Sequence, residues 1–346
     1  MTALRDLAER RVSYALGPVT VELHTDQAEV TDYLDDFYQS TEAASGPAWV
    51  VDARVGAAPG MSRNRYGVAY AADPAVREVV VRAPDPLNLA MTTRKAIREA
   101  LVEFCERRRY TMLHASAVAD TRRVLVVVGD KGSGKTTLAL RGALVHGLRY
   151  VSNDHLIIYP DAAAGPGASQ VADRLVLTSL PTPIPVKVGT YLDLEHLLPA
   201  PWDTEDVDLA AYRRMPRSER YRHDVRVLYT YRRLAQPNPV EVPLRGQAGG
   251  PRVTVVLARY RGGGEPAGAP VPAADPVAAL MEHVRLDWMF DPVLNQRHLP
   301  RRERDLSGYT ADARRLVAAL ADRSDVFTWA HDGDPAPLLD LMRESA

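Results

Sequence analysis

An α/β core is predicted for this chain, with a small α+β domain before it and a helical segment after it. Three observations predict this. The stretch VLVVVGDKGSGKTTLAL (residues 124–140) runs from a valine strand through a glycine-rich turn into a helical pattern. The segments on either side, TMLHASAVAD and LRYVSND, are rich in strand-forming residues and bounded by turn signals. The chain's 346 residues also suffice for more than one compact unit. The predicted boundaries are 1–108 for the leading domain, 109–262 for the core, and 263–346 for a flexible linker with a helical C-terminal segment.

In the leading domain, RVSYALGPVTVELHT and PAWVVDARVG cluster β-branched and aromatic residues between turns, which predicts strands, with a helix over QAEVTDYLDDFYQ between them. RYGVAYAA and REVVVRAP follow as a hairpin. NLAMTTRKAIREALVEFCERRRY is a helix, because Ala90, Ile97, Ala100, Leu101 and Phe104 fall on one face. The core opens with TMLHASAVAD as a strand, a turn at DTRR, the VLVVV strand and the glycine loop. Residues 135–146 form a helix with Gly147 as its C-cap. LRYVSND is a strand ending in polar groups, HLIIY continues extended, and PDAAAGPGASQ is a loop. RLVLTSLPTPIPVKVGTYLDLEHLL is extended, interrupted by prolines, and RVTVVLARY is a strand. RGGGEPAGAPVPAADP (261–276) has linker composition, and the last seventy residues read as mainly helical, with ADARRLVAALADRS the clearest case.

Composition excludes several classes. Apolar residues make up 46% of the chain, and no run of about 18 of them occurs, so no membrane span is expected. The first residues, MTALRDLAERRVSYALG, mix charges with apolar positions and lack a signal-peptide core, which predicts a cytoplasmic location. Cys105 is the sole cysteine, so no internal disulfide or cysteine-rich metal site is possible. A net charge of −1 points to neither nucleic acid nor a membrane surface as partner. Only four basic residues are lysines (Lys95, Lys131, Lys135 and Lys187), and the others are arginines. Two of the four lie in one seven-residue loop, where a compact mobile charge suits nucleotide phosphates.

That loop, Gly129-Asp130-Lys131-Gly132-Ser133-Gly134-Lys135-Thr136, matches G-x-x-x-x-G-K-[ST], and Thr137 follows it. The glycines let successive N–H groups curl inward as an anion nest, and the helix that starts there adds its positive end. Lys135 is placed to neutralise the β- and γ-phosphates of ATP, and the Thr136 hydroxyl to take a position on Mg²⁺. Asp154 ends the next strand, nineteen residues after Lys135. A carboxylate that close suits direct transfer to a hydroxyl better than a conformational switch.

LHASAVAD, the loop and GLRYVSNDHLII together resemble the HPr kinase/phosphorylase superfamily, whose fold is related to phosphoenolpyruvate carboxykinase. PTPIPVKVGT (181–190) is similar to a segment of these relatives, less specifically. The resemblance covers about residues 112–160 and continues more weakly to about 260. Members phosphorylate a serine on a carrier protein; smaller relatives act in natural-product pathways, including lasso-peptide ones, or on small hydroxylated substrates. The resemblance implies that His114 supports an acidic pair, that Lys135 and Thr136 serve phosphate and metal, and that Asp154 holds the second acidic position. The first acidic position is Asn153 here, a departure that leaves Asp154 as the expected base. Asn153 is then left with weak Mg²⁺ ligation or substrate positioning, and reverse phosphorylase activity is not expected.

The expected function is therefore ATP- and Mg²⁺-dependent phosphoryl transfer to an alcohol. The acceptor is a serine, free or in a peptide or protein, or a small hydroxylated metabolite. The alternatives are a nucleotide-binding regulator with lost or weak catalysis, and a true HPr kinase/phosphorylase, which the resemblance makes compatible with a homo-oligomer. Several residues keep two readings. Asp130 is a second carboxylate near the metal or a loop-shaping group, and Lys131 is a charge at the site's mouth or a solvated side chain. Lys187 reaches the site or covers the sheet. The arginine- and tyrosine-rich stretch from Arg213 to Arg233 is a docking surface for an anionic substrate or a solvated face. Arg259 and Arg261 leave a strand end where an arginine can stabilise transferring charge.

Overall fold

The computed structural model describes residues 9–42, 47–161, 174–204, 207–234, 241–245, 250–261, 268–291, 297–300 and 304–344. Most of the loop expected over 160–170, and 262–267 of the expected linker, lie outside them. The described residues form a mixed α/β structure in two units. One unit is drawn from Met1–Arg107 and Asp287–Glu303, the other from Arg108–Leu286 and Arg304–Ala346.

The first unit contains β1 (Arg10–Leu16), β2 (Val19–Thr25), α1 (Ala28–Asp35), β3 (Gln39–Thr41), β4 (Trp49–Val55), β5 (Ser62–Arg63), β6 (Ala69–Asp73), β7 (Glu78–Ala83) and α2 (Pro86–Arg107). Its sheet runs β3-β1-β2-β4-β7-β6-β5, with the central pairs β2–β4 and β4–β7 parallel and the outer pairs antiparallel. Alternation decides which face is buried: Val19, Val21, Leu23 and Thr25 of β2 point inward and the residues between them are half-covered. Ala90, Ile97, Ala100 and Leu101 of α2 are buried, as their spacing predicts, and Phe104 is partly so.

The second unit continues with β8 (Thr111–Leu113), β9 (Ala115–Ala119), β10 (Arg123–Val128), α3 (Lys135–Leu144), β11 (Arg149–Ser152), β12 (Leu156–Pro160), β13 (Arg174–Ser179), β14 (Ile184–Lys187), α4 (Val188–Leu194), α5 (Leu209–Arg214), α6 (Arg217–Arg220), β15 (Arg226–Tyr229), β16 (Val242–Arg245) and β17 (Arg252–Tyr260). After these come β18 (Val271–Pro272), α7 (Pro276–Met281), α9 (Leu306–Ala321), β19 (Ser324–His331) and α10 (Ala336–Glu344), while α8 (Leu286–Phe290) falls, apart from Leu286, in the stretch 287–303 of the first unit. One sheet is ordered β11-β9-β10-β17-β19-β18, a second β16-β13-β12-β8, and β14 pairs with β15 alone. β10, β17 and β19 are parallel neighbours. The valines of β10 are buried on both faces, as expected of a strand in the middle of a covered sheet.

Two expectations are corrected here. TMLHASAVAD is not one strand: it breaks at His114, with β8 in the second sheet and β9 in the first. LRYVSND does end in polar groups, as expected: β11 stops at Ser152, and after Asn153-Asp154-His155 the extended HLIIY stretch forms β12 in the second sheet. Residues 263–346 do not stand apart as a helical segment, because β19 is paired along its full length with β17. Val-Phe-Thr-Trp within SDVFTWAH are strand formers, a signal that the helical reading of this segment passed over, and Val326, Trp329 and His331 are buried.

Candidate functional site

The parallel strands β10, β17 and β19 end at the same edge of their sheet, and that edge carries the glycine loop. In open α/β sheets the carboxyl ends of strands are where ligands gather. Gly132 (φ +88°) and Gly134 (φ +89°) take the left-handed conformation that a side chain disfavours. Gly134 has a second reason to be glycine: a Cβ there would stand 2.5 Å from Cε1 of His331. His331, at the end of β19, donates from Nε2 to the Ser133 carbonyl at 2.7 Å and closes the loop from behind. Burial pushes its pKa down, which favours the neutral ring. α3 starts at the end of the loop with no side chain capping its first turn, so its leading N–H groups are available to an anion.

Lys135 is buried, and its ammonium donates to the carbonyls of Gly129 (2.7 Å) and Asp130 (3.0 Å). Burial lowers its pKa to about 8; Asp154 and Asp130 oppose that shift and Arg285 adds to it. Thr136, one residue on, donates its hydroxyl to Oδ1 of Asn153 at 3.0 Å. Thr137 shares a 2.7 Å hydroxyl contact with Thr190 of α4.

His114 and Asp154 stand at the two points where the chain passes from one sheet to the other. His114 Nε2 lies 3.6 Å from Asp154 Oδ1, an ion-pair separation rather than a hydrogen bond. Burial raises the Asp154 carboxyl, but its contact with His114 and the charges of His155, His114 and Lys135 outweigh that and hold it below its ordinary value. Residues 283–285 fix β8 from outside: the His114 N–H donates to His283 O at 2.8 Å, and Arg285 N–H donates to Met112 O at 2.8 Å. From α9, Tyr309 accepts the Met112 N–H at 2.9 Å.

A cleft of about 330 Å³ joins these groups, with His114, Lys135, Thr136, Thr137 and Asp154 in its wall together with Lys131 and Lys187. Asn153 is not part of that wall. It is 2% exposed, with Oδ1 taken by Thr136 and by Tyr150 (2.7 Å) and its N–H donated to Tyr231 at 3.1 Å; Nδ2 has no partner. The structure therefore makes Asn153 a support beneath Thr136. Asp130 is exposed, and Lys135 takes its carbonyl rather than its carboxylate. Lys131 pairs with Asp224 at 2.8 Å, and Lys187 faces the cleft rather than covering the sheet. Arg259 and Arg261 are exposed and do not line the cleft, whereas Tyr260 between them does.

Sequence reasoning missed His331, Thr190, Tyr150, Tyr231 and Asp224. His331 meets Ser133 across 198 positions of chain, and no local pattern marks such a contact. Asp224 and Arg226 lay within the arginine- and tyrosine-rich stretch, whose composition did not single them out.

Magnesium takes hard oxygen ligands, commonly one or two from the protein with water and phosphate completing the shell. The Thr136 hydroxyl and the Asp154 carboxylate, both in the cleft wall, fit that donor set. Among the described residues no group of three or more His, Cys, Asp or Glu side chains forms a metal cage. No helix among them is long and apolar enough to cross a membrane. No protein-family model matches the chain and no curated protein matches it in sequence, so the functional reading rests on the geometry of the site.

Proposed function

We propose that this protein is a phosphotransferase of the HPr kinase-like P-loop type, moving the γ-phosphoryl of ATP to an alcohol. The observation that carries the reading is one cleft wall holding Lys135, Thr136, Asp154 and His114 together. The glycine loop and the uncapped start of α3 receive the phosphates through backbone N–H groups. Lys135 leaves its two carbonyls to face the β- and γ-phosphates, which restores the full charge that burial weakens. Thr136 and Asp154 would hold Mg²⁺, which would supply positive charge to offset the phosphates.

The acceptor hydroxyl lies against Asp154. Its oxygen forms a bond to the γ-phosphorus as the bond from that phosphorus to the β–γ bridging oxygen breaks. ADP leaves with the electron pair, and the hydroxyl proton passes to the Asp154 carboxylate. A carboxylate held below its ordinary pKa is ionised and ready to orient the hydroxyl, and it takes the proton late. His114 keeps Asp154 in position from 3.6 Å. Asn153, an amide buried beneath Thr136, has no carboxylate to accept a proton, which leaves Asp154 as the one carboxylate of the two positions to act as base.

The same burial favours one second reading, a nucleotide-dependent regulator in which transfer is weak. Purified protein with ATP and Mg²⁺ against a panel of hydroxyl compounds, read by phosphoryl mass gain, separates the two. Lys135→Ala is expected to abolish both transfer and tight ATP binding. Asp154→Asn is expected to keep ATP affinity within a few-fold while transfer falls by about 10²–10⁴. Transfer at the normal rate by the Asp154 variant would remove the base assignment.

A further inference from the structure

We propose that Lys131, Lys187 and Arg226 form a second anion site in this cleft, taking a carboxylate or phosphate carried by the hydroxyl-bearing acceptor. The proposal rests on the phosphotransfer reading and names its substrate class. Three of the chain's four lysines line this one cleft; the fourth, Lys95, belongs to the other unit and lies 4.1 Å from the Tyr66 ring. Lys135 is committed to the glycine loop. The other two converge with Arg226 on the single carboxylate of Asp224: Lys131 at 2.8 Å, Arg226 at 2.9 Å and Lys187 at 3.8 Å.

This arrangement is unfavourable without a ligand. Lys187 and Arg226 sit directly opposite each other on the two-stranded β14–β15 ladder. Like charges in that position destabilise a ladder, and among the described residues one carboxylate, shared with Lys131, pairs with them. Ion pairs this exposed add little to stability: Lys131 is 71% exposed and Asp224 50%. The cluster is therefore not explained as a structural brace. Asp224 occupies the position an incoming anion would take, and Lys131 and Arg226 hold its carboxyl down at about 2, so it stays charged throughout the working range. Half-exposed, it gives way easily to a stronger ligand. Two ammonium groups and a guanidinium fork suit a carboxylate or a phosphate oxygen set. A hydroxyl at Asp154 and an anionic group at this cluster describe a hydroxy acid or a phosphorylated alcohol.

The test is calorimetric titration of the protein loaded with magnesium and adenylyl imidodiphosphate. The probes are inorganic phosphate and D-glycerate, with glycerol as the uncharged control. One or both anions are expected to bind the loaded protein with glycerol silent, and the anion that binds tells carboxylate from phosphate. Changing Lys187→Gln together with Arg226→Gln should weaken that binding at least tenfold; Lys187→Arg, which keeps the charge, should retain it. Asp224→Asn should tighten it several-fold. Loaded protein that ignores both anions, or a double glutamine variant that binds as wild type, would overturn the proposal. So would a double variant whose main loss is in nucleotide affinity, since the cations would then belong to the nucleotide. If the nucleotide itself does not bind, the phosphotransfer reading fails before any anion is added. The same titration on unloaded Lys135→Ala protein then decides the cluster, because the loop's share of anion binding has been removed.

Discussion

Lys135 shows how much one side chain can report. In the free protein it is buried with its pKa lowered to about 8, because burial disfavours its charge. The unfolded chain holds that proton up to about 10.4, so between these two values unfolding takes up a proton and this group's contribution to stability rises with pH. A phosphate at the loop reverses the preference for the neutral form. Binding of adenylyl imidodiphosphate is therefore expected to take up a proton at about pH 9 and none through this group at about pH 7. Calorimetry in two buffers of different ionisation enthalpy measures this directly, and equal uptake at both values would show that Lys135 is not the group involved. The place of Lys135 and Thr136 at the start of α3 was legible in the sequence because the strand, glycine turn and helix that set it are contiguous. Asn153 was legible as a departure from the acidic pair but not in its role. Its place beneath Thr136 depends on Tyr150 and Tyr231, which no spacing connects to it.

At the scale of elements, the strands are fixed by their turns as much as by their apolar residues. The β9–β10 turn, expected from DTRR, is held by Asp120, which accepts from the N–H groups of Arg122 and Arg123 at 2.7 Å each and from the Arg123 guanidinium. Burial raises the Asp120 carboxyl, but Arg123 and the two amides outweigh it and hold it below its ordinary value. A depressed carboxyl stabilises the fold above about pH 4 and loses that contribution as pH falls through its folded value. Asp120→Ala is expected to cost about 1–2 kcal/mol at neutral pH. The gap in thermal midpoint between variant and wild type should close as the buffer is taken toward about pH 2. A gap that persists undiminished in acid would assign the loss to packing. The end of β11 at the polar Asn153-Asp154 was legible, whereas the break at His114 was not, for a related reason. It lies inside a run of strand formers, and only long-range pairing, of β9 with β10 and of β8 with β12, decides where one sheet hands the chain to the other.

Over the whole molecule, the mixed α/β character follows from the sequence, whereas the standing of the last eighty residues does not. They supply β19 to the sheet, with Trp329 2% exposed against the core of the second unit. A chain stopped before Ser324 leaves the β17 ladder unpaired on that side. It is expected to lose cooperative thermal unfolding in circular dichroism; a sharp transition with nucleotide affinity intact would show β19 to be dispensable. The contact of His331 with the glycine loop then acquires a meaning in time. The loop at residues 129–136 is made before β17 and β19, and the histidine that closes it from behind is translated 198 positions after Ser133. The backing of the glycine loop is therefore missing from a nascent chain until β19 has been made. If the loop takes a nucleotide as proposed, binding is expected only after β19 has been translated and paired with β17.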